Sequence, residues 1–249
     1  MSFKSALLPI ATAIVLVTSA AIQAQSSQTT ISFGGATAKL GELVVSLPAP
    51  EGYEEATQNW ESVKLRFAAA VPPEGDLLAG YLPISDCDLL RKNQPALYSW
   101  WTIINVYRPA RTHVSSKAEF ARIVGYAQPE SEFWKNRDRS KIKEVLAQTD
   151  KLLSKETSKD VKLDLSQPKP LGAFDRRANV YSSLLLLNLT VRVDEKEVAS
   201  IPVLASMTLL LIKQRVINVF AYKKYESEAD ADAVMQFTTK WVNEILAAN

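Results

Sequence analysis

The clearest pattern lies in the last third of the chain. Leu187, Leu189, Val191 and Val193 alternate with Asn188, Thr190, Arg192 and Asp194, the period of a half-buried strand. Asp194 to Glu197 reads as its turn. Val198 to Ile212 follows without a charge, but it is only 15 residues long and contains Pro202, so a buried strand fits it better than a membrane-spanning helix. A tight turn at Lys213 to Arg215 returns the chain through Val216 to Tyr225, which predicts a three-stranded antiparallel meander. The period then changes. Ser227-Glu228-Ala229-Asp230 marks a helix start, and Val234, Phe237, Thr238, Trp241 and Ile245 form one apolar stripe, which predicts a terminal amphipathic helix packed as core.

Earlier segments are shorter. Glu42 to Leu47 reads as a strand ended by Pro48 and Pro50, Ser62 to Val71 as a second stopped by Pro72-Pro73, Leu77 to Leu82 as a third, and Leu97 to Arg108 as a long fourth. On that fourth strand Trp100 and Trp101 point to opposite faces, so one enters the core and the other needs separate cover. Ser116-Lys117-Ala118-Glu119 has the form of a capping box, with Phe120, Ile123, Val124 and Ala127 on one helical face and Pro129 after them. A longer helix is expected from about Ser131 to Lys155, carrying Ile142, Val145, Leu146, Leu152 and Leu153 at helical spacing. Its first half, Lys135 to Lys143, is mostly basic; a solvated face explains this, and a membrane-surface or partner face is the sharper alternative. A loop with Pro168, Pro170 and Gly172 follows. No internal repeat or composition break divides the chain, so residues 25–249 are expected to form a single α+β domain: an antiparallel sheet with a C-terminal meander, packed against two or three helices including the C-terminal one.

Met1 to Ala24 has the order of a secretory signal: Lys4, an apolar stretch from Leu7 to Val17, and small residues from Ser19 to Ala24. Cleavage near Ala24 and a periplasmic or secreted location are expected; membrane attachment would follow only if this segment stayed uncleaved. Composition narrows the chemistry further. The formal charge of +2, from 29 Lys and Arg against 27 Asp and Glu, gives no global field to recruit nucleic acid. With one Cys and one His, structural zinc, CxxC redox and haem-attachment sites have too few ligands, and no cofactor is expected. Cys87 has no intramolecular disulfide partner and is expected to be a buried free thiol.

Val45-Ser46-Leu47-Pro48, the late meander, and Phe220-Ala221-Tyr222-Lys223-Lys224-Tyr225 leading to an acidic helix start and Trp241-Val242 resemble exported bacterial proteins of unknown function, some of which have a sheet-and-helix sandwich similar to the Mog1 and PsbP proteins. The resemblance implies a binding or accessory role and carries no catalytic residue onto this chain.

None of the eight glycines builds a GxGxxG, GxxxxGK[ST] or GxSxG motif. The best local constellation is Arg108, Arg111 and His113 just before the capped helix at Ser116, where two guanidinium groups and a positive helix end could meet an anion. A plain solvated connection is its bland alternative. Asp86-Cys87-Asp88, if extended, would set two carboxylates on one side, too few oxygens for a calcium site. Asn188-Leu189-Thr190 matches a glycosylation sequon but falls mid-strand. The resulting expectation is an exported, non-catalytic binding or accessory protein for an unidentified protein or small-molecule ligand. The alternatives are a hydrolase-like enzyme with a site near His113 and a membrane-associated envelope protein.

Overall fold

The late alternation builds the centre of the molecule. Strands β8 (Val180–Val193), β9 (Lys196–Ile212) and β10 (Arg215–Lys224) pair antiparallel in sequence order. Two-residue turns join them: Asp194 and Glu195 have φ of 49° and 67°, and Lys213 and Gln214 have 45° and 62°, the left-handed pair that matches the twist of a tight hairpin. β8 begins seven residues before Leu187, because Val180 to Leu185 is uncharged and buried on both faces, a run in which alternation disappears. The computed structural model describes residues 35–94, 96, 98–128 and 140–249. The leader 1–24, Pro129 and the basic residues 135–139 lie outside the described residues.

Strands β3 (Tyr53–Glu55), β4 (Gly75–Pro83) and β5 (Trp100–Tyr107) extend the sheet beyond β10, and β6 (Val161–Leu165) lies beyond β8, in the order β3-β4-β5-β10-β9-β8-β6. β7 (Lys169–Asp175) also pairs with β8. It occupies the stretch read as a loop from Pro168, Pro170 and Gly172. An edge strand tolerates Pro170 because one side of its backbone needs no ladder partner, and its register shifts at Pro170/Gly172 absorb the irregularity. β1 (Ala36–Leu40) and β2 (Leu43–Leu47) form a separate hairpin.

One expected strand is a helix. Ser62 to Val71 falls largely in α1 (Glu61–Ala69), whose Val63, Arg66 and Phe67 are buried; these positions share one face at helical spacing, and Ala68 and Ala69 favour the helix. Asp86-Cys87-Asp88 is likewise helical, inside α2 (Ile84–Arg91). Its two carboxylates therefore do not align as on a strand: Cys87 is buried, Asp86 half-buried and Asp88 exposed. α3 (Lys117–Ala127), α4 (Ser140–Thr157) and α5 (Ala229–Ala247) complete the set.

The sheet is the middle of three layers. On one face Trp101, Ile103, Phe220 and Met207 pack with Val63 and Phe67 of α1, Phe120 of α3 and Val145 of α4. On the other, Tyr81, Ile104, Val219 and Leu210 pack with Trp241, Val242 and Ile245 of α5 and with Leu40 and Leu47 of the β1–β2 hairpin. The α+β class with an antiparallel sheet and a packed C-terminal helix is thus as the pattern predicts. The two tryptophans separate as expected: Trp101 is fully buried and stacks on Tyr222 at 5.1 Å, whereas Trp100 is half-buried against Phe237 of α5, with Lys223 over its ring. No side chain caps the first turn of α5; Asp230, inside that turn, instead fixes the chain leading into it, its Oδ2 accepting from the backbone N–H of Glu226 and Ser227 at 2.8 Å each.

Candidate functional site

β5 ends at Tyr107, and Pro109 helps turn the chain into a short 3-10 segment, Arg108–Arg111. This places two guanidinium groups on one carboxylate. Arg108 Nε donates to Asp76 Oδ1 at 3.0 Å and Arg111 Nη1 to Asp76 Oδ2 at 2.9 Å. Partial burial pushes the Asp76 carboxyl up, but the bonds and charges of Arg108 and Arg111 outweigh it and hold the group below its ordinary range. Arg111 Nε also donates to Lys39 O at 3.0 Å, which binds the segment to the β1–β2 hairpin.

His113 serves the next element. Its Nε2 lies 2.9 Å from Glu119 Oε1, and Arg122 reaches the same oxygen at 3.8 Å. Ser116 Oγ accepts from Glu119 N at 3.1 Å, as a cap should. Only half of the expected capping box forms, because the Glu119 carboxylate turns to His113. Arg108 and Arg111 therefore share a site, and His113 belongs to the adjoining start of α3.

A third guanidinium completes this end of the sheet. Arg215 opens β10 directly after the Lys213–Gln214 turn and is only 8% exposed. Its Nη1 donates to Gln214 O at 3.2 Å, while its Nε has no hydrogen bond and the group has no carboxylate partner among the described residues. The same Gln214 oxygen accepts from Ser115 N at 2.9 Å. Ser115 is 1% exposed, and its Oγ is also without a hydrogen bond. Gly41, at the tip of the first hairpin, closes the group: a Cβ there would stand 3.6 Å from Thr112 Cγ2 and 3.7 Å from Arg215 Nη2. Three connections, the β1–β2 tip, the β5–α3 link and the β9–β10 turn, thus converge around a buried, uncompensated cation. Ordinary interiors avoid this, since a buried charge is usually paired.

A contrasting case shows the usual solution. Arg66, 4% exposed under α4, also has an Nε without a hydrogen bond, but its charge is paired, with Glu156 Oε2 at 2.9 Å from its Nη2. Nearby, Arg91 pairs with Glu54 and Asp88, and burial raises the Asp86 carboxyl above its usual range. Cys87 is fully buried; burial first, and Glu54 second, push its thiol up to about 12, with Arg91 opposing. The thiol is therefore protonated and a poor nucleophile.

Sequence reasoning chose Arg108, Arg111 and His113 and missed Arg215 and Ser115. Arg215 sits 104 positions after Arg111 in what reads as a turn, and no local signal distinguishes it from a solvated turn cation. Its position in the first pair of a tight hairpin, facing the same side as Ile217, becomes informative only once the sheet order is known.

Among the described residues no group of three or more His, Cys, Asp or Glu is arranged to hold a metal ion, and no helix is long and apolar enough to cross a membrane. No protein-family model matches the chain, and no curated protein does. Two solved structures are similar in fold, both at 11% identity. One is a point mutant of protein Mog1, with a TM-score of 0.35 over 86% of this chain and 94% of that one. The other is the Saccharomyces cerevisiae Ran-binding protein Mog1p, with a TM-score of 0.32 over 87% and 95%. The likeness is a weak one of fold and assigns no function to this chain.

Proposed function

We propose that this is an exported, non-catalytic binding or accessory protein whose ligand engages the end of the sheet around Arg111, Ser115 and Arg215. The observation that carries this reading is the buried Arg215 guanidinium, which retains an unbonded donor and has no carboxylate beside it among the described residues. A protein that keeps such a group sacrifices stability in its free form, a common mark of a site completed by something else. Export rests on the order of charged, apolar and small residues from Met1 to Ala24. The protonated, buried Cys87 thiol favours binding over nucleophilic chemistry at that residue.

Two measurements test the two parts of the reading. The intact mass of protein recovered from outside the cytoplasm should correspond to a chain starting near Gln25; recovery of only full-length chain in membranes defeats the export claim. A thermal-shift screen of the purified protein against small anions, neutral polar molecules and cations should find at least one stabilising class, with the effect reduced in Arg215→Met. A flat profile across all classes would sink the binding claim.

A further inference from the structure

We propose that Arg215 and Ser115 form the floor of an oxyanion site, which takes a phosphoryl or carboxylate group presented by a small molecule. The inference rests on the binding reading above and specifies its ligand chemistry. Three observations bring the donors together. The Gln214 carbonyl accepts from both Ser115 N, at 2.9 Å, and Arg215 Nη1, at 3.2 Å, so the two residues flank a single atom. Each then has one buried polar group left over, Arg215 Nε–H and Ser115 Oγ–H, neither with a partner among the described residues. Both residues are more than nine-tenths buried, at 8% and 1% exposure.

The leftover groups select the ligand. An N–H on a permanent cation and a hydroxyl on the residue that shares its Gln214 acceptor are matched by an acceptor bearing negative charge, and a guanidinium binds oxyanions well because its donors lie in one plane. The surroundings agree in sign. Arg108 and Arg111 share the single carboxylate of Asp76, which leaves one positive charge in excess at the rim. Lys213, in the same turn, directs its Nζ to Val44 O at 3.2 Å and not to an acid. Arg111 is partly exposed, with 39% of its side chain accessible, and adds positive charge at this end of the sheet. Arg66 has the half-buried carboxylate of Glu156 at its Nη2 as a countercharge. The bound oxyanion supplies a countercharge to Arg215 as Glu156 does to Arg66.

Isothermal titration of the full chain with inorganic phosphate and, separately, with acetate tests this, with sodium chloride holding ionic strength constant because surface attraction is screened by salt. Saturable binding with one ion per chain is expected, weakened at least tenfold in Arg215→Met and several-fold in Ser115→Ala, and unchanged in Arg177→Ala, whose guanidinium lies elsewhere on Asp175 and Asn243. Binding of phosphate alone identifies a phosphoryl ligand and of acetate alone a carboxylate; binding of both supports the oxyanion site, and the tighter-bound ion identifies the group. No saturable heat with either ion overturns the proposal, as does parental affinity in both Arg215→Met and Ser115→Ala. Should Arg215→Met not unfold cooperatively, Arg215→Lys replaces it: the charge remains but the planar donor set is lost, and parental affinity in both Arg215→Lys and Ser115→Ala overturns the assignment. If neither ion binds while a neutral or cationic molecule stabilises the protein, the oxyanion assignment fails and the binding reading stands.

Discussion

Trp241 joins α5 to the rest of the molecule, and its removal should be among the most damaging single changes. The indole is 1% exposed, meets the Tyr81 ring edge-on at 5.6 Å and the Phe237 ring at 6.2 Å, and donates from Nε1 to Pro48 O at 2.9 Å. It therefore links the final helix, strand β4 and the segment after the first hairpin. A buried tryptophan removes about 200 Å² from water, which at about 25 cal/mol per Å² corresponds to about 5 kcal/mol. Large-to-small core substitutions of aromatics cost about 3–5 kcal/mol, because the cavity collapses only in part. That range already includes the loss of the Nε1 bond, about 1 kcal/mol, which leaves Pro48 O unsatisfied. Trp241→Ala should thus destabilise by about 4 kcal/mol, a large share of the stability of an ordinary domain. With an m-value of about 2 kcal/mol per M in urea, the unfolding midpoint should fall by about 2 M. Trp241→Phe keeps most of the apolar area but loses the hydrogen bond, and should cost about 1–2 kcal/mol. A midpoint for Trp241→Ala within error of the parent would refute the packing argument and free α5 from its role as core.

Further outcomes follow from other contacts. Gly80→Ala should cost about 2–3 kcal/mol, since its Cβ would fall 2.1 Å from Phe67 Cδ2 and 2.8 Å from Thr57 Cγ2; Phe67→Leu in that background should recover part of the loss in urea unfolding, and simple additivity would contradict a direct clash. Cys87 should react with a thiol reagent only at the rate of unfolding, because it is buried and its thiol is held protonated; rapid labelling of native protein would place it at the surface. The Asp230 carboxyl is lowered to about 2, first by its hydrogen bond from Lys223 and then by the Glu226 N–H. A depressed acid contributes stability above its unfolded value of 3.8, and loses it as the pH falls towards 2. Asp230→Asn should accordingly cost about 1 kcal/mol at pH 7, moderated by solvent near the pair, and the difference from the parent should shrink as the pH falls from about 4 to 2 and vanish below that. A gap that is constant between pH 7 and pH 2 would assign the effect to the lost bonds from the Glu226 and Ser227 N–H groups instead of charge.

Much of the architecture was legible in the chain because each legible part is decided locally. Alternation from Leu187 to Val193, the uncharged run to Ile212 and the stripe from Val234 to Ile245 reflect the choice of which face each residue turns to water, and that choice repeats at the period of the element itself. The opposed directions of Trp100 and Trp101 follow from the same pleat. Segments without a clear period were harder. α1 looks like a strand because Val63, Leu65 and Phe67 alternate in sequence, yet Leu65 is 49% exposed while Val63, Arg66 and Phe67 face the core; the register of α1 against β4 and α4 decides between the two periods. β7 carries proline and glycine and becomes a strand only because β8 offers it an open edge. The candidate site divides in the same way. Arg108 and Arg111 stand out in the chain because they are close together before a helix cap, but their common dependence on Asp76 and the arrival of Arg215 and Ser115 beside them come from strand pairing over long sequence separations. Local sequence sets what each segment prefers; which charges meet, and which are left without a partner, is decided by the sheet order that brings the ends of β5 and β9 to the start of β10.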